Sequence, residues 1–335
     1  MVNRKWQIVI SMYQYDFHTY SVRRKRSLKK VFVSVVLLSF LGILFWGSVN
    51  FFSQETRDDK NVVSPIGSEV TSLLGALTKN KTNELETVVQ NALGDTPGTY
   101  GISIHNLKTN ESYAVNDHRV FTSASLYKLW VMATVFEQIE KGTLSEDTPL
   151  HGDISSLNKK FGIASESAEL TEGEVDFTVA SALNQMITIS HNYAAMLLTE
   201  RVRLSNVKVF LETHGLRESK VGTDTDLPST TAADTALFFE KLVKGELANK
   251  EHTQEMLTLL KAQRLNGKLP KYLPTDTVIA HKTGELYLFT HDAGIVYTPQ
   301  GNYVIAILSE TPNPQVAEEK IATISKAVYE YMTTR

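Results

Sequence analysis

Strand-like segments near both ends of the chain, separated by a long helical stretch, predict an α/β chain of the α+β kind. The fold expected is an antiparallel sheet flanked by helices, with an all-helical lobe inserted between its strands and one transmembrane helix ahead of it. Three observations carry this. The segments "TYGISIHNL" (99–107) and "ESYAVN" (111–116), joined by "KTN", and later "TDTVIAHKTG", "HDAGIVYTP" and "NYVIAILSET" have the apolar pattern of strands. From 124 to about 262, apolar residues recur every three or four positions, in segments that begin with Ser, Thr or Asn and end near Gly. The run Val31–Val49 holds no charge for 19 residues and directly follows "RRKRSLKK".

Taken in order, residues 1–30 carry eight Lys/Arg against the single acid Asp16, a charge of +7, whereas the rest of the chain carries −10. As a helix, the apolar run spans roughly 28 Å at 1.5 Å per residue, about the thickness of a hydrocarbon core. A basic flank stays on the cytoplasmic side. The expected plan is therefore a cytoplasmic basic segment (1–30), a single-pass anchor in the cell membrane (31–52), a linker (53–80) and an extracytoplasmic domain (81–335). A cleaved signal peptide is the rival, but no small-x-small site follows the apolar run, which ends in "GSVNFFSQETRDD". The acidic body argues against nucleic acid as a partner. With no cysteine, thiolate chemistry, disulfides and cysteine metal sites are excluded.

Within the domain, a first helix is expected over about 82–94 and a last one over about 314–333. The sheet lobe then comprises about 81–120 and 265–335, and the helical lobe about 121–264. A cleft between two such lobes is where ligand sites tend to form.

Ser-x-x-Lys occurs four times, at Ser27/Lys30, Ser125/Lys128, Ser156/Lys159 and Ser205/Lys208, so context must choose among them. Only Ser125-Leu126-Tyr127-Lys128 opens a strongly apolar helix. Residues at i and i+3 share a helix face, so Ser125 Oγ and Lys128 Nζ can meet. A lysine embedded in apolar surroundings loses its proton readily and becomes a base for the hydroxyl. The helix start adds N–H groups and partial positive charge near a developing oxyanion. The bland alternative makes Ser125 a helix N-cap and Lys128 a surface lysine. Two further motifs follow: Ser190-His191-Asn192 between two helices, and Lys282-Thr283-Gly284 at a strand end, the one Lys-Thr-Gly in the chain. Ser190 and Asn192 as mere caps, and Lys282 as a solvated charge, are the corresponding bland readings. Tyr127 and Trp130 read as packing residues, and His281 and His291 as structural. Nine histidines without His-Glu-x-x-His spacing give no metal site, and no phosphate loop or other cofactor motif is present.

With these three motifs in this order, the chain resembles the class A β-lactamases and the related penicillin-recognising serine D,D-peptidases over residues about 95–333. The resemblance extends to "ITISHNYAAMLL" and to "HKTG" followed by "HDAGIVY". It implies a β-lactamase/transpeptidase-like fold, with Ser125 as nucleophile, Lys128 as its base and Ser190 as the hydroxyl that relays a proton to the leaving nitrogen. It implies an oxyanion hole from the N–H groups of Ser125 and Glu285. Asn192 would orient the substrate amide and the lysine, and Lys282, Thr283 and Gly284 would hold the substrate carboxylate.

Three departures qualify the resemblance. His191 stands where the β-lactamases usually carry Asp, so a changed local hydrogen-bond network is expected. The stretch "LRESKVGTDTDLPSTTAADTAL" (216–237) is shorter than the family's loop and lacks its Glu-x-x-x-Asn; Glu218 lies early, and Asp224 and Asp226 are shorter acids. The Arg that often follows the Lys-Thr-Gly strand is missing from "ELYLFTHDAG". The expected function is a serine β-lactamase-family hydrolase that opens β-lactam amides through an acyl-serine intermediate, with slow deacylation. The alternatives are a D,D-carboxypeptidase or transpeptidase acting on D-Ala-D-Ala peptides of peptidoglycan, and a non-catalytic cell-surface binding module.

Overall fold

The computed structural model describes residues 84–163, 165–223 and 226–334. The expected basic segment, anchor and linker, and also Asp224, lie outside the described residues. Among the described residues no helix is long and apolar enough to cross a membrane.

Helix α1 (Glu84–Leu93) precedes β1 (Thr99–Asn106), β2 (Ser112–Val115) and the short β3 (Phe121–Thr122). A 3₁₀ turn at Ala124–Leu126 runs directly into α2 (Tyr127–Glu140). Then come β4 (Pro149–Asp153), α3 (Ile154–Lys160), β5 (Glu174–Thr178), α4 (Val179–Thr188), α5 (Asn192–Val202) and α6 (Leu204–Thr213). β6 (Ser229–Thr230), α7 (Ala232–Val243) and α8 (Lys250–Lys261) lead back to β7 (Ile279–Leu286), β8 (Phe289–Val296), β9 (Tyr303–Glu310) and the terminal α9 (Pro314–Thr333).

The main sheet has the order β2-β1-β9-β8-β7, and every pair is antiparallel. Its two halves come from opposite ends of the domain and meet at β1 and β9, where Ile102 faces Ile307 and Ile104 faces Ile305. On one face Tyr303, Ile305 and Ile307 pack with Leu85 and Val89 of α1 and with Ile321, Ile324 and Val328 of α9. On the other, Val304, Ala306 and Leu308 join the core of the helical lobe. Burial on both faces explains why β9 reads as an unbroken apolar run rather than an alternation. Helix α2 is buried continuously from Lys128 to Phe136, as expected of a helix apolar all round. It forms the axis of the lobe and carries the Ser-x-x-Lys motif at its start.

The inserted lobe is not all-helical. β4 and β5 form an antiparallel hairpin, and β3 pairs with β6. The hairpin escaped the pattern because both strands are only five residues long with polar or charged side chains on most exposed positions, and "PLHGD" also carries Pro and Gly, which weaken strand signals. Helix α7 was assigned to the helical lobe, yet it packs against β1, β8 and β9 and so covers the sheet. Helix starts follow the expected chemistry: Asp153, Thr178, Thr231, Asn249 and Asn313 each accept a backbone N–H as N-cap, and Pro314 opens α9.

Candidate active site

Ser125 is buried within the 3₁₀ turn that feeds α2. The residues at the cap positions are Ser123 and Leu126, and neither makes a side-chain cap, so Ser125 is not the helix N-cap. Ala124, immediately before it, has φ 45°, a left-handed conformation that costs energy for any residue with a Cβ. The turn lies against β7, the edge strand of the sheet. An edge strand leaves half of its backbone groups unpaired by its neighbour, here on the side of the turn. The approach is close: a Cβ on Gly284 would sit 3.1 Å from Ser123 O and 3.3 Å from Ser125 N. A side chain at 284 would press on the backbone of the turn, so glycine favours this close contact, which brings the strand of Gly284 and Glu285 to the amide of Ser125.

Lys128, the second residue of α2 and one turn after Ser125, is fully buried. Its Nζ lies 2.5 Å from Ser190 O, 2.7 Å from Asn192 Oδ1 and 3.0 Å from Ser190 Oγ. Two of these partners are carbonyl oxygens and can only accept. A neutral amine places its two hydrogens on them and turns its lone pair towards a hydroxyl. Burial pushes the Lys128 pKa well below the ordinary lysine value, and the nearby Lys282 ammonium pushes it further; the Glu169 carboxylate opposes both.

Lys282 is the second buried amine. It donates to Ser190 Oγ at 3.0 Å and to Thr283 O at 2.8 Å. Burial lowers its pKa to about 7, a fall moderated by Asp292. Ser190 Oγ thus stands between the two lysines, with its backbone at φ 60°, another left-handed conformation at a non-glycine residue. Thr283 is buried beside Lys282.

Asn192 opens α5, and the cap of that helix is His191, whose Nδ1 accepts from Ala194 N–H at 3.2 Å. An imidazole thus caps α5 here, as a carboxylate would at such a position. Burial lowers the pKa of His191, which keeps the ring neutral and able to accept. Asn192 Nδ2 donates to Glu169 Oε1.

His281 and His291 are structural, as expected. His281 Nδ1 lies 2.9 Å from the buried Asp292, and His291 bridges Thr122 O at 2.8 Å and Ser309 N at 3.1 Å. Trp130 is core. Of the acids in 216–229, Glu218 bonds His118 at 2.9 Å and Thr231 Oγ1 at 2.8 Å, and Asp226 closes a local turn with Thr223.

Two neighbours of the site were not found from sequence. Lys268, almost wholly buried, pairs with the carboxylate of Glu285 and places another cation beside Lys282. Glu169 reaches Asn192 from the stretch between α3 and β5. Neither sits in a motif, and no spacing marks them. Among the described residues one group has the spacing to hold a cation: His151, Glu174 and Asp176, all exposed on the β4–β5 hairpin. None of them touches the lysines or Asn192.

The family model of the β-lactamase enzyme family matches residues 83–332. A β-lactamase of Bacteroides uniformis is 25% identical over 275 residues, which covers 75% of this chain and 92% of that protein. A mutant of PBP-A, solved as an acyl-enzyme complex with penicillin G, superposes with a TM-score of 0.66 at 25% identity, covering 76% of this chain and 98% of that one. A class A β-lactamase structure from Bacteroides cellulosilyticus DSM 14838 shares the fold with a TM-score of 0.65 at 21% identity, over 75% of this chain and 98% of that one. The chain belongs to the β-lactamase enzyme family and is a serine hydrolase of that family.

Proposed function

We propose that the chain opens β-lactam amides through an ester on Ser125. The observation that carries this reading is the arrangement around Lys128: two carbonyl oxygens take its hydrogens, and the lone pair is left for a hydroxyl. In the proposed cycle Lys128 removes the Ser125 proton as Oγ bonds the β-lactam carbonyl carbon. The oxyanion is held by the N–H groups of Ser125 and Glu285. The C–N bond then breaks, and the nitrogen takes a proton from Ser190 Oγ, which is replenished from Lys128. Lys282 and Thr283 bind the substrate carboxylate, Gly284 keeps the strand close, and Asn192 orients the acyl amide. Deacylation is slow, because Glu218 and Asp226 are engaged in contacts of their own. Support also comes from the PBP-A mutant, solved as an acyl-enzyme with penicillin G. The test is intact-mass measurement after mixing with benzylpenicillin, followed by peptide mapping. One adduct on Ser125 is expected; a folded chain without an adduct would refute the reading.

The engagement of Glu218 and Asp226 equally favours a second reading, a D,D-carboxypeptidase or transpeptidase acting on D-Ala-D-Ala peptides, since such a reaction does not need the missing loop Glu. Release of D-alanine from such a peptide separates the two. The apolar run at 31–49 and its basic flank support a single-pass membrane anchor with the catalytic domain outside. Protease treatment of intact cells should degrade the domain while sparing residues 1–30.

A further inference from the structure

The β4–β5 hairpin carries a group of side chains that the acyl-transfer chemistry does not use. Its strands are antiparallel, with His151 directly opposite Asp176 and Asp153 directly opposite Glu174. Alternate residues of a strand share a face, so these four side chains stand on one face of the hairpin, and all four residues are exposed. His151 Nδ1 lies 2.8 Å from Asp176 Oδ1. One ligand atom each from His151, Glu174 and Asp176 fit within 4.8 Å of one another. Asp153 is already used by α3, where its Oδ1 accepts from Ser156 N and Ser155 Oγ, both at 2.8 Å. One imidazole and two carboxylates are therefore gathered at one spot.

The two strands hold three carboxylates and neither Lys nor Arg, so no cation of their own offsets this charge. An exposed His–Asp pair contributes little to folding and can yield to a stronger partner. Atoms that share a zinc ion at about 2.1 Å stand roughly 3.4 Å apart, so side-chain rotation brings this set onto one ion. Ca²⁺ and Mg²⁺ take oxygen ligands, whereas an imidazole beside carboxylates suits a divalent transition ion. We propose that His151, Glu174 and Asp176 form a Zn²⁺ site, with water in the remaining position. The ion joins β4 to β5 and so ties together the ends of the segment 154–173 that runs between them. His151 and Asp176 stand 25 positions apart on different strands, which is why no spacing motif marks the site.

Calorimetric titration of the untagged full chain with zinc chloride tests this. Wild type should take up one equivalent, and Co²⁺ in its place should give visible ligand-field absorption at the same stoichiometry. His151→Ala and Glu174→Gln should each weaken Zn²⁺ binding by at least about tenfold. Both replace exposed side chains, so the fold is kept. His118→Ala is the control: it removes another exposed histidine near two carboxylates, 2.9 Å from Glu218 and 3.7 Å from Asp117, and should leave the uptake as it is. A wild type that binds no Zn²⁺ would overturn the proposal, and so would binding that survives unchanged in His151→Ala. Loss of binding in His118→Ala would also overturn it, because the ion would then sit at that histidine instead.

Discussion

The stretch 162–174 and the stretch 216–229 both carry acidic side chains near the proposed site, and they use them differently. The second is tied to the turn that holds Ser125, since Ser123 N donates to Pro228 O at 2.8 Å and β3 pairs with β6. Yet its described acids, Glu218 and Asp226, are held in contacts of their own. Glu218 is taken by His118 and Thr231, and the amides of Glu218 and Ser219 are pinned by Asp234. The first stretch pairs with no strand over most of its length, and it sends Glu169 to the amide of Asn192. Acid count and closeness in the chain therefore do not decide which carboxylate joins a reaction. Competing donors do: an acid satisfied by a histidine and a threonine is not available to a water at the ester.

This contrast can be broken at several points. The largest effect is expected from the chemistry both stretches surround. Ser125→Ala should abolish covalent labelling, and Lys128→Met, which refills the same buried volume without a base, should slow acylation by about a thousandfold. A Lys128→Met chain that acylates at the wild-type rate would remove the base assigned here. Next, Gly284→Ala should slow acylation by about ten- to a hundredfold with little change in melting temperature, because its Cβ would press on Ser123 O and Ser125 N. Stopped-flow acylation and a thermal melt together check this.

The pH profile of acylation should show a smaller effect whose sign follows from the two lysines. In the proposed cycle Lys128 acts as a free base, and burial holds its pKa well below the ordinary lysine value, so raising the pH does not remove this base. Lys282 binds carboxylate only when charged; with a pKa of about 7, its charge is lost as pH rises through that value. The acylation rate constant should therefore fall on the alkaline side of about 7, and Lys282→Arg, whose guanidinium stays charged, should move that fall upward. The smallest effect is expected in 216–229: Glu218→Gln should change the lifetime of the acyl-enzyme by no more than about twofold. A much longer lifetime would show that Glu218 leaves His118 to serve the ester.

The motifs were legible in the sequence because each is locally constrained. Ser125 and Lys128 lie one helical turn apart on the most apolar helix, and Lys282-Thr283-Gly284 ends a strand whose apolar pattern is plain. The paired ends of the sheet were legible for the same reason. Glu169 was not, because its contact with Asn192 bridges 23 positions between a loop and a helix start, and no periodicity records such a pairing. Lys268 was hidden for the opposite reason: lysines are nearly always exposed, and only the folded chain shows this one buried against Glu285. The change to His191 was visible as a letter, but its consequence is geometric: a neutral ring nitrogen caps α5.

The most direct test of the account is a time course of fluorescent-penicillin labelling on the full chain, run beside Ser125→Ala. The account predicts rapid labelling of the wild type that persists for hours, and none in the variant. Label that forms on Ser125 and vanishes within seconds would contradict slow deacylation, and a folded wild type that takes up no label would contradict acyl transfer itself.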